Sequence, residues 1–169
     1  MTDNHIRVVV SGDSWMGGGF GSIESALRDL LHGADDEVII IAYAISSATQ
    51  TLFQQFKKLL ERGTRLRMLI NRYEEQHESV KAGLSKLQKQ FPGLFQLFSF
   101  IPSHAEADLH AKIILVDRKY ALVGSANLSS RGLIDNHELA LVVEGAAVAD
   151  ITRAIDLLFK SHRVQAVSS

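Results

Sequence analysis

Apolar positions fall in short blocks, and the spacing inside the blocks alternates between two periods. Ile6–Ser11 is a β-branched run of strand length. After Ser22, the residues Ile23, Ala26, Leu27, Leu30 and Leu31 fall on one helical stripe, which Gly33 is expected to end in a left-handed conformation. Glu37–Tyr43 is continuous and apolar, the pattern of a strand covered on both faces. Ser47 and Gln50 stand at capping-box spacing before a helix carrying Leu52, Phe53, Phe56, Leu59 and Leu60, with Gly63 as its stop. Leu66–Asn71 is the next strand. A polar helix follows over about Glu74–Gln90 and stops before Pro92. In the second half Leu94–Ile101, Ala111–Asp117, Tyr120–Val123 and Glu138–Val143 are strand-like. A last helix from about Ala147 to His162 buries Val148, Ile151, Ile155, Leu158 and Phe159. The alternation in the first half and the hairpin in the second predict an α/β fold, an α-β-α sandwich on a mixed, largely parallel central sheet. No repeat or linker interrupts it, so residues 1–169 read as a single domain.

Composition narrows the function only by exclusion. With 18 basic and 19 acidic residues the chain lacks the global charge of a nucleic-acid binder, so a polyanion would need a local patch. Lys57, Lys58, Arg62, Arg65, Arg67 and Arg72 are one candidate, although a solvated helix end and strand edge explain them more simply. There are no cysteines, hence no disulfide and no thiolate metal site. No apolar run approaches the ~18 residues of a membrane span. The start, MTDNHIRVVV, lacks the basic and apolar regions of a secretory signal, and the expected location is cytoplasmic.

The chemistry is concentrated in LHAKIILVDRKYALVGSAN. On a strand His110 and Lys112 would project from one face about 7 Å apart, with Ile114 and Val116 continuing that face into the core. An imidazole and an ammonium aimed at one point suit a phosphate diester, the first as nucleophile or proton donor, the second as counter-charge. Gly124 at the end of the next strand allows close backbone approach, and Ser125 and Asn127 offer donors to phosphate oxygens. Asp117 is expected to start the turn between the two strands, a structural role. Neither HxK nor GSxN means much alone; the conjunction of six positions at fixed offsets does.

That conjunction, His110-x-Lys112-x4-Asp117-x6-Gly124-Ser125-x-Asn127, resembles the signature of the phospholipase D superfamily of phosphodiesterases. The order of helices and strands from Ala26 to Asn71 is similar to that of the small single-motif bacterial endonuclease branch, so the resemblance covers roughly residues 22–163; the specific motifs lie within 109–138. The resemblance implies a two-step, metal-independent mechanism with no cofactor. His110 of one subunit would attack phosphorus to give a phosphohistidine, and His110 of a second would protonate the leaving group and then activate water. Lys112, Ser125 and Asn127 would bind the phosphoryl oxygens, and Glu138 would hold the other ring nitrogen of the nucleophilic histidine. The other six histidines are not followed by a second HxK, so a homodimer is implied.

Two further segments stay open. Gly12–Gly21 holds five glycines and the sole tryptophan but no P-loop lysine; Trp15 or Phe20 would stack on an unpaired base, or Trp15 would pack into the core. Ser103–Asp108 brings His104, Glu106 and Asp108 near the motif, by composition a metal set, more simply a polar rim that repels polyanions. The leading reading is a nuclease acting on DNA or RNA. A phospholipase or lipid phosphodiesterase is the alternative within enzymes. A nuclease-like subunit recruited by a helicase or defence complex is the alternative of another class.

Overall fold

A computed structural model of the chain describes residues 3–15, 17–46 and 50–168. Among the described residues nine strands form one sheet: β1 His5–Ser11, β2 Gly21–Ser22, β3 Glu37–Ala42, β4 Arg65–Asn71, β5 Phe95–Phe100, β6 Ile113–Val116, β7 Tyr120–Gly124, β8 Glu138–Glu144 and β9 Val164–Ala166. The helices are α1 Ile23–His32, α2 Gln50–Glu61, α3 Glu78–Gln90 and α4 Ala146–Phe159. Strand order is β2-β1-β8-β7-β6-β3-β4-β5-β9. β3, β4 and β5 are parallel neighbours, as are β1 and β2, whereas β6, β7 and β8 zigzag antiparallel between them. The sheet is therefore mixed, with β1 to β5 and β7 running one way and β6, β8 and β9 the other. This is the α/β sandwich that the periodicity predicts.

The two faces bury different residues because successive strand side chains alternate. Val38, Ile40, Leu66, Met68, Ile70 and Val116 pack with α1, α2 and α3. Ile39, Ile41, Leu69, Leu115 and Val143 pack with Val148 and Ile155 of α4. All six residues of β3 are buried, which explains its unbroken apolar run. Glu37 is the charged member, and Arg118 reaches its carboxylate at 3.5 Å while also gripping Asp156 of α4 at 2.9 and 3.1 Å.

Element ends follow local chemistry. Ser22 Oγ accepts the Ser25 N–H at 3.1 Å, capping α1. Gly33 ends that helix with φ −82°, so it does so without the left-handed turn expected of it. Gly63, at φ +87°, does supply that conformation after α2. The proposed cap Ser47 lies outside the described residues. The polar helix starts later than its pattern suggests: residues 73–75 form a 3₁₀ turn, and His77 Nδ1 then accepts from Ser79 N–H to cap α3. No helix among the described residues is long and apolar enough to cross a membrane.

Asp117 closes the β6–β7 hairpin. It and Arg118 both lie in the left-handed region, at φ +51° and +53°, which Asp tolerates, and Lys119 N–H closes the turn on the Val116 carbonyl at 2.9 Å. Its carboxylate accepts the N–H groups of Asp35, Asp36 and Glu37 at 3.0, 2.8 and 2.9 Å, and so fastens the hairpin to the start of β3. Burial opposes ionisation, but these three donors and Lys119 outweigh it and hold the carboxyl below its ordinary value. Asp117→Ala should destabilise the fold by about 1–3 kcal/mol in urea denaturation. The charge-dependent part acts above the unfolded-chain pKa of about 3.9 and is lost as pH falls through the lower folded value, so the gap between wild type and Asp117→Asn should close in acid.

Candidate active site

The C-terminal ends of β1, β3, β4 and β7 and the N-terminal ends of β6 and β8 lie at one edge of the sheet. His110, Lys112, Ser125 and Glu138 come together there. β6 begins at Ile113, so His110 and Lys112 sit on the extended lead into the strand and not within it, one difference from the sequence expectation. The lead continues the ladder only at Lys112, whose carbonyl accepts Gly124 N–H at 3.3 Å. Even so the two side chains converge. Lys112 Nζ lies 3.1 Å from His110 Nδ1 and 3.4 Å from Nε2, and donates to the His110 carbonyl at 2.7 Å.

Tyr43, just past β3, supplies the opposite wall. Its ring centroid is 4.6 Å from that of His110, and Lys112 Nζ stands 5.2 Å from the Tyr43 centroid. Burial pushes the Lys112 ammonium below the ordinary lysine value, with Glu138 pulling the other way. A partly desolvated ammonium beside an exposed imidazole is a strong local counter-charge for an anion, since screening is reduced where water is excluded.

The second limb of the site depends on a close backbone approach. A Cβ on Gly124 would overlap Ala140 Cβ and stand 2.6 Å from the Leu139 carbonyl, so only glycine lets β7 and β8 run this near. Ser125 then donates to the Glu138 carboxylate, and its Oγ accepts Leu139 N–H at 3.3 Å. Asn136 Nδ2 donates to the other Glu138 oxygen at 3.4 Å. Within one chain the Glu138 carboxylate thus meets Ser125 and Asn136, not His110. Asn127 occupies the turn after Ser125, where Gly132 packs against its backbone, and its Oδ1 is buried without a hydrogen-bond partner among the described residues. A buried amide oxygen left unpaired is costly.

Several site features carry no pattern that sequence reasoning detects. Asn71, Gln76 and Tyr43 are ordinary in sequence, yet all three frame the HxK segment. Gln76 Nε2 donates to the carbonyls of Asn71 and Tyr43 at 3.0 and 3.4 Å, tying the ends of β3 and β4. A π-helical turn over Arg131–Asp135 likewise carries no sequence signal; Ser11 Oγ anchors it through the Gly132 carbonyl at 3.0 Å.

The remaining candidates separate. Asp108 is drawn to Arg72 and Asn71, which together hold it below the usual carboxylate range. Among the described residues no group of three or more His, Asp or Glu is placed to hold a metal ion. The six basic residues do not form one patch: Arg62 binds the Leu31 and Ala34 carbonyls, Arg65 pairs with Asp36, and Arg67 lies 4.1 Å over Phe159 on the α4 face. Trp15 belongs to neither core. It meets His137 edge-on at 5.6 Å, and His137 Nε2 in turn lies 2.8 Å from Ser14 Oγ and 3.1 Å from Asp13. Phe20 is 53% exposed beside a cleft between this loop and the 131–135 turn.

A family model described as "Cardiolipin synthase, PLD-like domain" matches residues 27–162. The chain is 25% identical over 138 residues to the DISARM protein DrmC of Bacillus paralicheniformis, covering 82% of this chain and 56% of that one. It is 29% identical over 140 residues to cardiolipin synthase A of Buchnera aphidicola, covering 82% and 27%. It thus spans about half the length of the first relative and about a quarter of the second. Among solved structures, Nuc from Salmonella typhimurium, a phospholipase D family member, superposes with a TM-score of 0.74 at 14% identity, covering 99% of this chain and 100% of that one. NucT from Helicobacter pylori gives 0.74 at 16% with the same coverage. At such identities these two report the fold.

Gly124→Ala is expected to cost about 1–3 kcal/mol by forcing β7 from β8. Its denaturation midpoint should fall, and the Ser125–Glu138 contact should be absent from a crystal structure of the variant.

Proposed function

The chain belongs to the phospholipase D-like family, and on that premise we propose that it is a metal-independent nuclease whose active site is completed by a second copy of the chain. The observation that carries this reading is the convergence of His110 and Lys112 with Ser125 and Glu138 at one sheet edge. An imidazole nitrogen of His110 attacks phosphorus; the P–N bond forms as the P–O bond to the leaving alkoxide breaks. His110 of the second copy gives that alkoxide its proton, then takes one from water, which attacks phosphorus and releases His110. Lys112 supplies the positive charge for the non-bridging oxygens, with Ser125 and Asn127 as neutral donors. Glu138, already beside Ser125, orients the imidazole presented by the second copy.

Two features support the twofold arrangement. The chain has a single HxK, whereas the two steps need a nucleophile and a separate acid. The α4 face also carries a half-buried apolar row beside the site, running Ile113, Val123, Leu141 and Val8 across four neighbouring strands, with Leu139 47% exposed next to it. A second copy laid on this face would cover that row and bring its own HxK to the same edge.

Two other readings have specific support. Similarity to DrmC, together with a net charge of −1, favours a nuclease-like subunit that borrows nucleic-acid affinity from a helicase or defence complex. Similarity to cardiolipin synthases favours a lipid phosphodiester as substrate.

Cleavage of single- and double-stranded oligonucleotides in excess EDTA tests the proposal. Wild type should cut, and His110→Ala should lose at least about 10³-fold, since a covalent nucleophile is removed. Equal cleavage by both proteins would remove His110 from the chemistry, and cleavage abolished by EDTA alone would show that a metal is required.

A further inference from the structure

The ladder that orders β6, β7 and β8 reaches back only to Lys112, so it does not fix the backbone of His110. The end of β4 does. Asn71, the last residue of β4, is 3% exposed, and its Oδ1 accepts Leu109 N–H at 3.0 Å. Its Nδ2 donates to Asp108 Oδ1 at 3.1 Å, and the same oxygen accepts from Arg72 Nε at 2.7 Å. Arg72 Nη2 also donates to the Ala105 carbonyl at 2.7 Å. Ala105, Asp108 and Leu109, on the segment that leads into His110, are therefore fastened to Asn71 at the end of β4 and to Arg72 just past it. The Leu109 side chain is buried in the α4-side core, which fixes the same point from below. Through its own carbonyl Asn71 is also tied to Gln76, whose amide holds Tyr43 against the His110 ring.

We infer that Asn71 is the positioning residue for His110, acting through Leu109 and Asp108 without touching the substrate. The inference rests on the reading of His110 as nucleophile. In-line attack needs the reacting atoms within about 3–3.5 Å, and a misplacement near 1 Å costs on the order of 10²-fold in rate. An asparagine suits the task because one group accepts from a backbone N–H and donates to a carboxylate, at any pH. Alanine here leaves a buried N–H unpaired and frees the lead. Aspartate would set a second carboxylate against Asp108.

The test is turnover of bis-p-nitrophenyl phosphate by wild type, Asn71→Ala, Asp108→Ala and His110→Ala, with thermal melts and the imidazole signals of His110 followed by NMR. Asn71→Ala should lower kcat by about 10- to 100-fold with KM within about twofold, and should shift or broaden the His110 signals. Asp108→Ala, at a more exposed position, should act in the same direction by a smaller factor and keeps the test open if Asn71→Ala fails to fold. Wild-type kcat and unchanged His110 signals in either folded variant, beside an inactive His110→Ala, would overturn the anchoring alone. Loss of activity only in proportion to the unfolded fraction would likewise assign Asn71 a purely structural part. Full turnover by His110→Ala would instead remove the nucleophile reading, and the positioning role with it.

Discussion

The β6–β7 hairpin is the constraint on which the site depends. Asp117 and Arg118 turn the chain in left-handed conformation, and the Asp117 carboxylate binds three backbone N–H groups at the start of β3. With the turn fixed, register is fixed: Val116 faces Tyr120, Ile113 faces Val123, and one step further Lys112 meets Gly124. The spacing of the motif is thus a ruler set by one hairpin. Four residues separate Lys112 from Asp117 and six separate Asp117 from Gly124 because those counts bring the HxK lead and the GSxN turn to the same sheet edge. A single insertion in either arm would move one limb to the wrong face.

What the hairpin cannot set is the approach of the other elements. Gly124 allows β8 to come close enough for Glu138 to receive the Ser125 hydroxyl. Tyr43 and Gln76 close the site from the β3 and β4 side. Charge follows the same plan. Asp108, two residues before the histidine, is paired with Arg72, while Lys112 remains partly desolvated beside the imidazole. A chain of nearly balanced charge can in this way keep a local cationic point for a phosphate without a basic surface.

Much of this architecture is legible in the residue pattern, and the exceptions have physical causes. β3 is readable because both its faces are covered, and α4 because its apolar stripe is continuous. β2 and β9 are too short, at two and three residues, to show a period. The polar helix begins late because Tyr73 is buried and turns the chain before His77 can cap it. The HxK pair is recognisable by spacing, but its place ahead of β6 is not, since strand termination at Ile113 depends on what lies opposite. Asn71 escapes sequence reasoning altogether. A lone polar residue ending an apolar strand carries no periodic signal, and its partners stand more than thirty positions away.

The central claim is that His110 becomes covalently bonded to phosphorus during turnover. Its most direct test is mass spectrometry of the protein quenched in alkali during reaction with a phosphodiester, where a phosphohistidine survives. The account predicts an adduct on the peptide carrying His110, with the mass of the phosphoryl group and the ester substituent it retains, appearing and decaying at rates compatible with turnover and absent from His110→Ala. Steady turnover with no adduct on His110 at any quench time, or an adduct on another residue, would contradict it.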